Sequence, residues 1–270
     1  MMRTIGFIGG GNMAQALLEG VLSAGLFEAN NVWVSDVRPE RLDELKGLYG
    51  IHATTDNTEL TKQADIVVLS VKPQMMAAVL DGVARTLKDG VLVISIAAGI
   101  TTATIKAKLG VVQIVRIMPN TPALIGAGAS GVYNAGASES SMNTALSICA
   151  SVGRAVVVDN EDLIDAVTAV SGSGPAYYFL LMEEMIKAGI ELGLTEETAK
   201  TLVLQTAKGA ALLAESAQEK GEGPAVLRQK VTSPGGTTEA ALKVMNESGF
   251  ERIVLKALTA ARNRGKELSG

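Results

Sequence analysis

The residues with the clearest capacity for chemistry lie near the end of the chain, in the stretch 233–238 (Ser-Pro-Gly-Gly-Thr-Thr) and the helical run after it. Its two glycines allow the backbone to approach a ligand, and Thr237 and Thr238 then fall in the first turn of a helix. Free N–H groups and the positive end of the helix dipole attract an anion such as a carboxylate there. We therefore predict half of a reaction site. The alternative is an ordinary capped helix start, with Gly236 as N-cap and Glu239 at the third helical position.

Composition limits the kind of protein that carries this stretch. The chain has 270 residues, 47% of them hydrophobic, which is enough for about two domains with a buried core. A net charge of −4 with scattered Lys and Arg leaves no basic field for nucleic acid or an anionic membrane. We recognise no targeting segment, and the most apolar stretch, 91–100, is too short to span a bilayer as a helix. We predict a globular cytoplasmic protein without nucleic-acid or membrane partners.

The chain contains one histidine, His52, and one cysteine, Cys149. They cannot form a zinc site of His and Cys ligands, so no metal is expected. A Ser-His-Asp or Cys-His arrangement would need His52 at its centre, and nothing near it resembles a nucleophile elbow. We expect His52 to be a surface or structural residue and Cys149 a small buried hydrophobe. An enzyme of this composition works largely without side-chain acid–base groups.

Hydrophobic patterning divides the chain into two halves. The first half alternates β-branched runs with helical stretches, which is typical of βαβ units and a parallel sheet. Strands are predicted at 3–8, 32–35, 51–54, 66–71, 91–96, 111–118, 130–134 and 154–158, and Asn57 is predicted to cap a short helix before a longer one at 74–87. After residue 159 only helices are predicted, the first beginning near Pro175 and ending at Gly193, the rest at 196–217, 224–231, 237–246 and 250–268.

The first predicted strand runs into a glycine motif in which Gly9, Gly11 and Ala14 take the three small positions. The first glycine makes the turn, the second lets N–H groups approach a pyrophosphate, and the third small residue packs helix on sheet. The strand–turn–helix context predicts an α/β fold with a Rossmann-type dinucleotide-binding domain at 1–159. The helical pattern after it predicts an all-α domain at 160–270, to which we assign dimerisation and substrate binding.

The residues that end the second predicted strand give a mixed signal about the dinucleotide. Asp36 would bond a ribose 2′-hydroxyl and favour NADH, whereas Arg38 and Arg41 would pair with a 2′-phosphate and favour NADPH. In the alternative reading this stretch only turns the chain into the next helix. We predict NADPH as cofactor, with NADH as the alternative, and contacts from Ser35, Asp36 and Arg38.

Two further features bear on the site and on assembly. Two prolines stiffen the turn 119–122, so Asn120 is predicted to be a fixed polar contact near the reactive end of the cofactor. The helix after Pro175 is apolar on nearly every face over 176–182 and must be covered. This predicts a homodimer whose second subunit covers the helix, the alternative being a central helix within one chain.

Five stretches together resemble the pyrroline-5-carboxylate reductase family over the whole chain: 6–13 (GFIGGGNM), 71–73 (VKP), 118–122 (MPNTP), 165–177 (DAVTAVSGSGPAY) and 231–238 (VTSPGGTT). The last two, in this order and spacing, are the specific ones. The resemblance implies reduction of (S)-1-pyrroline-5-carboxylate to L-proline by NAD(P)H, the last step of proline biosynthesis. It also implies a helical domain that interlocks with its twin, and leaves open a larger assembly of dimers.

The resemblance also implies roles for individual residues. The dinucleotide would be held by Gly9, Gly10, Gly11, Asn12, Met13, Asn57, Val71, Lys72, Pro73, Ala97, Ala98 and Gly99, with Glu161 reaching it from the domain joint. The substrate would be held, against the dinucleotide site of the partner subunit, by Ser233, Gly236, Thr237 and Thr238, with the Thr238 hydroxyl as the catalytic contact to the ring nitrogen. Asp36 departs from what a strict NADPH enzyme would carry.

Two other functions fit parts of the sequence. A 3-hydroxyacid dehydrogenase of the 6-phosphogluconate dehydrogenase-like class places a catalytic lysine on the first long helix of its second domain, but 171–181 contains no lysine and Lys187 lies deeper. A non-catalytic dinucleotide sensor would leave the stretch 233–238 unexplained.

Overall fold

A single sheet dominates the first half of the chain in a computed structural model that describes residues 3–269. The strands in this part of the chain are β1 (Ile5–Ile8), β2 (Val32–Ser35), β3 (His52–Thr54), β4 (Ile66–Leu69), β5 (Leu92–Ser95), β6 (Gln113–Met118), β7 (Gly128–Asn134) and β8 (Gly153–Val157). They pair in the order β3-β2-β1-β4-β5-β6-β7-β8. The six strands that come first in the chain are mutually parallel, with the Rossmann-type order, so the predicted α/β fold class is confirmed.

Strand β7 runs antiparallel to β6, which departs from the predicted parallel sheet. A parallel crossover needs about a dozen or more residues, usually including a helix. The link between these strands holds only a 3₁₀ turn, Thr121–Ile125, which ends at Gly126 with φ 71°. The chain therefore turns back on itself, and β8 then pairs parallel to β7.

Helices cover both faces of the sheet. They are α1 (Asn12–Ser23), α2 (Pro39–Tyr49), α3 (Asn57–Gln63), α4 (Pro73–Val83), α5 (Thr102–Leu109) and α6 (Glu139–Ala150). One buried apolar cluster contains residues of α1, α2 and α6, and the other contains residues of α3, α4 and α5. Within β4, Ile66 and Val68 belong to the first cluster and Val67 and Leu69 to the second, because successive strand residues face opposite sides.

Two helix assignments from the sequence need correction. Asp56, not Asn57, is the N-cap of α3, because its carboxylate accepts the Thr58 N–H at 2.8 Å while Asn57 is the first helical residue. Helix α4 was expected at 74–87 but ends at Val83.

The single histidine and the single cysteine have structural positions, as expected. His52 is exposed on the edge strand β3 and stacks on Trp33, with ring centroids 4.6 Å apart. Cys149 is buried in α6, and its burial raises the pKa of the thiol to about 12, although a hydrogen bond with Ser130 opposes this. The thiol is therefore protonated near neutral pH and is a poor nucleophile.

The described residues after 159 contain helices and connecting loops but no strand. The helices are α7 (Leu163–Val167), α8 (Gly174–Glu191), α9 (Glu196–Gln218), α10 (Pro224–Lys230), α11 (Thr237–Glu247) and α12 (Phe250–Ser269), with a π-helical turn at Thr168–Gly172 between the first two. The predicted start near Pro175 and end near Gly193 are confirmed for α8. Gly193 has φ 99°, which favours glycine after a helix end.

The described chain forms two compact units, which differ from the predicted domains at 1–159 and 160–270. One unit contains the residues up to Pro175 and those from Thr259 onward; the other contains Ala176–Leu258. Residues 160–175 belong with the sheet because Ile164 is buried and Val167 packs against β7. A Cβ at Gly131 would lie 2.6 Å from the Val167 side chain.

Helix α8 presents large apolar side chains to solvent. Tyr178, Phe179 and Leu180 are 67%, 61% and 59% exposed, so the alternative that α8 is a central helix within one chain is wrong. Apolar surface continues on α9 and α12 at Leu202, Leu204, Leu212, Leu213, Ile253 and Leu255. Surfaces of this kind mark interaction sites. Among the described helices, none combines the length and apolar character that a membrane span requires.

Candidate active site

The glycine loop after β1 lies where the strand order of the sheet reverses, between β1 and β4. Gly9 has φ 98°, and a Cβ there would lie 2.8 Å from the Ser70 carbonyl oxygen. The Ser70 hydroxyl donates to the carbonyls of Ile8 (2.9 Å) and Gly9 (2.8 Å). Close contact with the end of β4 therefore fixes the loop and restricts this position to glycine. Dinucleotides bind at such a switch point in related sheet topologies.

The backbone N–H groups that follow remain available to an anion. Helix α1 begins after Gly11 without a side-chain cap, and a Cβ at Gly11 would meet no atom within 4 Å. In the described part of the chain, the N–H groups of Gly11, Asn12 and Met13 have no hydrogen-bond partner. This open helix start fits the pyrophosphate of a dinucleotide.

Asp36, directly after β2, holds the same loop through hydrogen bonds of its carboxylate. Its carboxylate accepts the Gly10 N–H at 2.8 Å and the Arg38 Nε at 3.0 Å. Burial raises the pKa of Asp36, but hydrogen bonds from Arg38 and Gly10 outweigh burial and leave it below its ordinary value. Arg41 donates to the Gly10 carbonyl at 2.7 Å and is largely buried, whereas the Arg38 side chain is 53% exposed. Arg38 is therefore the better placed of the two arginines for a 2′-phosphate.

Most of the other predicted cofactor residues lie at the same edge of the sheet. The Ser35 hydroxyl donates to Asn57 Oδ1 at 2.7 Å, which joins the end of β2 to the start of α3. Lys72 is the N-cap of α4 and Pro73 its first residue, directly after β4. The structure thus brings together, at the carboxyl ends of neighbouring strands, the predicted residues Gly9, Gly10, Gly11, Asn12, Met13, Ser35, Asp36, Arg38, Asn57, Val71, Lys72, Pro73, Ala97, Ala98 and Gly99.

The polar atoms of the Asn120 side chain form hydrogen bonds within the protein, so the residue has a structural role without a cofactor. Its Nδ2 donates to the Ser171 carbonyl at 3.0 Å, and its Oδ1 accepts the Ala129 N–H at 2.8 Å. Asn120 therefore joins the turn that precedes α8 to the start of β7. Its contact with the cofactor stays a prediction.

We expect Asn120→Leu to lower the free energy of unfolding by about 2–4 kcal/mol, because it leaves two backbone groups without partners in a buried site. Urea denaturation followed by circular dichroism measures this. The control is Asn143→Leu on α6, where the side chain is exposed, and a small change is expected there. Equal denaturation midpoints for the two variants would contradict the role of Asn120.

Glu161 lies in a buried cluster that the sequence did not reveal. Its Oε1 accepts the Thr102 N–H and Arg116 Nη1, both at 2.7 Å, and its Oε2 accepts the Thr102 hydroxyl at 2.6 Å. Burial raises the pKa of Glu161, but the hydrogen bonds from Thr102 and Arg116 outweigh it and hold the pKa below its ordinary value. Arg116 was not predicted to be a functional residue. A single charged residue within the apolar run 114–118 was the sequence feature that could have indicated it.

The predicted substrate loop lies in the helical unit, and its helix start is capped. Gly236 is the N-cap of α11, and Glu239 Oε2 accepts the Gly235 N–H at 2.8 Å, so the capped helix start is confirmed. The cap leaves other donors open. Within the described chain, the N–H groups of Thr237 and Thr238 have no partner, and neither do the hydroxyls of these residues and of Ser233. A capped helix start and an anion site are therefore compatible.

An open cleft beside this loop carries charges of both signs. Within the helical unit it is lined by the cations Arg228 and Lys243 and by the carboxylates Glu239 and Glu247, among others. No group of three His, Cys, Asp or Glu side chains in residues 3–269 is arranged to hold a metal ion. The chemistry available here consists of hydrogen bonding and charge.

Comparison with known proteins identifies the family. Residues 161–268 match the family model described as pyrroline-5-carboxylate reductase dimerisation, and residues 4–99 match one described as NADP oxidoreductase, coenzyme F420-dependent. A pyrroline-5-carboxylate reductase of Pseudomonas aeruginosa is 49% identical over 98% of this chain and 96% of its own length.

Two solved structures agree with this. That of a pyrroline-5-carboxylate reductase from Coxiella burnetii is 44% identical and covers 100% of both chains with a TM-score of 0.93. The Plasmodium falciparum pyrroline carboxylate reductase with NADP bound is 30% identical, covers 99% of this chain and 98% of its own, and has a TM-score of 0.87. The chain belongs to the pyrroline-5-carboxylate reductase family.

Proposed function

We propose that this chain catalyses the NAD(P)H-dependent reduction of the C=N bond of (S)-1-pyrroline-5-carboxylate to L-proline, the last step of proline biosynthesis. The observation that carries the proposal is the start of α11, where two N–H groups and three hydroxyls are available to a small ligand with a carboxylate and a ring nitrogen. Family membership supports the same reaction. We place the enzyme in the cytoplasm, as the sequence predicts.

The reaction suits a site without histidine or metal. A cyclic imine that binds protonated at nitrogen is already electrophilic at carbon. A bound nicotinamide dinucleotide supplies a hydride; a C–H bond forms at the imine carbon while the C=N electron pair moves onto nitrogen, giving the ring amine. The protein must hold the reacting atoms in line, and proximity and orientation contribute up to about 7–11 kcal/mol in well-oriented systems.

We assign roles to individual groups on this basis. The N–H groups of Thr237 and Thr238, with Gly236 and Ser233, hold the substrate carboxylate at the positive end of the α11 dipole. The Thr238 hydroxyl hydrogen-bonds the ring nitrogen and fixes the plane of the ring. Thr238 acts by orientation, since its hydroxyl does not titrate near neutral pH. The glycine loop and the residues at the sheet edge hold the dinucleotide.

We propose that the active form is an interlocked homodimer, in which the α11 loop faces the dinucleotide site of the partner subunit, with a larger assembly of such dimers as the alternative. The exposed apolar side chains of α8, α9 and α12 support this, because they have no cover in a single chain. The matched dimerisation model covers the same helices.

NADPH is the proposed cosubstrate, with NADH as the alternative: the exposed Arg38 side chain favours NADPH, whereas Asp36 favours NADH. A charged carboxylate at the end of β2 attracts a ribose diol and repels a 2′-phosphate. We expect Asp36→Ser to raise the ratio of kcat/KM for NADPH to that for NADH by about tenfold. The control is Asp43→Ser, the same change at an exposed position of α2. An unchanged ratio in Asp36→Ser would show that Asp36 does not face the adenosine ribose.

The activity itself is tested by following NADPH and NADH oxidation separately in the presence of pyrroline-5-carboxylate. Turnover that depends on both substrates supports the proposal. Inactivity with both dinucleotides would overturn it, and tight dinucleotide binding without turnover would favour a sensor instead.

A further inference from the structure

We infer that Arg116 and Glu161 are positioning residues that fix the loop 97–99 for the dinucleotide by holding Thr102; the inference rests on the proposed function. Arg116 lies in β6 and is only 3% exposed. Its Nη1 donates to Glu161 at 2.7 Å, and both oxygens of Glu161 accept hydrogen bonds from Thr102. Three segments distant in sequence therefore meet at one carboxylate.

This carboxylate determines where the loop ends. The loop leaves β5 near Ile96, whose N–H donates to the Leu69 carbonyl at 3.2 Å, and α5 begins at Thr102. Between these points Gly99 has φ 72°, and a Cβ there would lie 2.9 Å from the Leu268 carbonyl oxygen. With the β5 end fixed by the sheet, Glu161 fixes the other end at the first residue of α5.

Stability alone does not account for the buried arginine. A buried ion pair contributes little net stability compared with apolar residues of similar size. Arg116 Nε is buried and has no hydrogen-bond partner in the described chain, and the same holds for Ser95 Oγ at the paired position of β5. Unpartnered buried groups lower stability. An apolar side chain at this position of β6 would make the protein more stable. We therefore infer that the role of Arg116 is to hold Glu161 in place.

The positioning role differs from the direct contact between Glu161 and the dinucleotide that the resemblance implies. If Glu161 contacted the dinucleotide directly, removing the Thr102 hydroxyl would leave the affinity for NADPH unchanged. If Glu161 instead acts by holding the start of α5, removing the Thr102 hydroxyl would lower that affinity. Thr102 therefore discriminates between the two roles.

The test compares Thr102→Val with Thr102→Ser and with Thr104→Val. We expect Thr102→Val to raise the KM and the dissociation constant for NADPH about tenfold, since it removes one hydrogen bond to a charged group. The KM for pyrroline-5-carboxylate should change little. Thr102→Ser keeps the hydroxyl and should restore the wild-type values. Thr104→Val is the matched control, because Thr104 lies in the same turn of α5 and its hydroxyl bonds only Thr101.

A dissociation constant for NADPH within twofold of wild type in folded Thr102→Val would overturn the inference. Calorimetric titration measures it without turnover, so a wild-type protein that binds NADPH but does not reduce pyrroline-5-carboxylate would overturn the proposed function alone. Should Thr102→Val fail to fold, Arg116→Met serves in its place, since it removes the donor that holds Glu161 while the Glu161 carboxylate and Thr102 stay. Unchanged NADPH affinity in Arg116→Met would then count against the inference.

Discussion

Thr238→Ala is expected to lower kcat by about 10- to 1,000-fold while the KM for the dinucleotide stays close to wild type. Thr238 is the second residue of α11, its hydroxyl has no protein partner in the described chain, and it is partly exposed. Removing a hydroxyl that only orients the ring affects the reacting geometry and leaves the glycine loop untouched. Alanine is also the better helix former, so stability should not fall. Steady-state kinetics with both substrates and a thermal melt measure these quantities.

Thr238→Ser is the matched control for this experiment. It keeps the hydroxyl and removes only the methyl group, so we expect it to retain most of the turnover. A kcat of Thr238→Ala within twofold of wild type would remove Thr238 from the mechanism.

Leu180→Glu is expected to convert the protein into monomers and to abolish most of its activity. Leu180 lies on the exposed apolar face of α8. Burying a carboxylate in an apolar interface without a partner costs several kcal/mol, so the dimer dissociation constant should rise by about a hundredfold or more. Activity should fall with the dimer, because the proposed site combines the α11 loop of one subunit with the dinucleotide site of the other. Light scattering after size exclusion, with activity across a protein dilution series, measures both effects.

The control is Leu48→Glu on α2, which makes the same change at a leucine of similar exposure, 61% against 59%. Leu48 lies outside the apolar surface of α8, α9 and α12, so assembly and activity should persist. Monomeric Leu180→Glu with full activity would show that one chain completes its own site.

The periodic patterns predicted most of the fold because buried strands and amphipathic helices follow directly from the order of apolar residues. Strand β2 matches its predicted range, and α11 matches within one residue. The direction of β7 could not be predicted from these patterns, since it depends on how the short link after β6 turns. The division of the helices after residue 159 between two compact units depends on which of them pack on the sheet, which periodicity does not show.

The parts of the candidate site that depend on a backbone motif could be predicted from the sequence. The parts that depend on hydrogen bonds between side chains of distant residues could not. Gly9 makes the predicted turn, since its φ of 98° favours glycine, and Gly236 is the N-cap of α11. The pairing of Arg116 with Glu161 joins positions far apart in sequence, and no local sequence pattern indicates it. The bond from Asn120 to Ser171 also joins two segments whose proximity only the structure shows.

The hydrogen bond from Gly235 to Glu239 has a consequence for how tightly a small substrate can bind. It ties the loop to the first turn of α11 before any ligand arrives. A small imino acid offers few atoms for contact, so binding cannot easily offset the entropy of ordering a mobile loop. Because the loop is held by its own helix, that entropy is lost during folding, and more of the contact energy remains available for affinity.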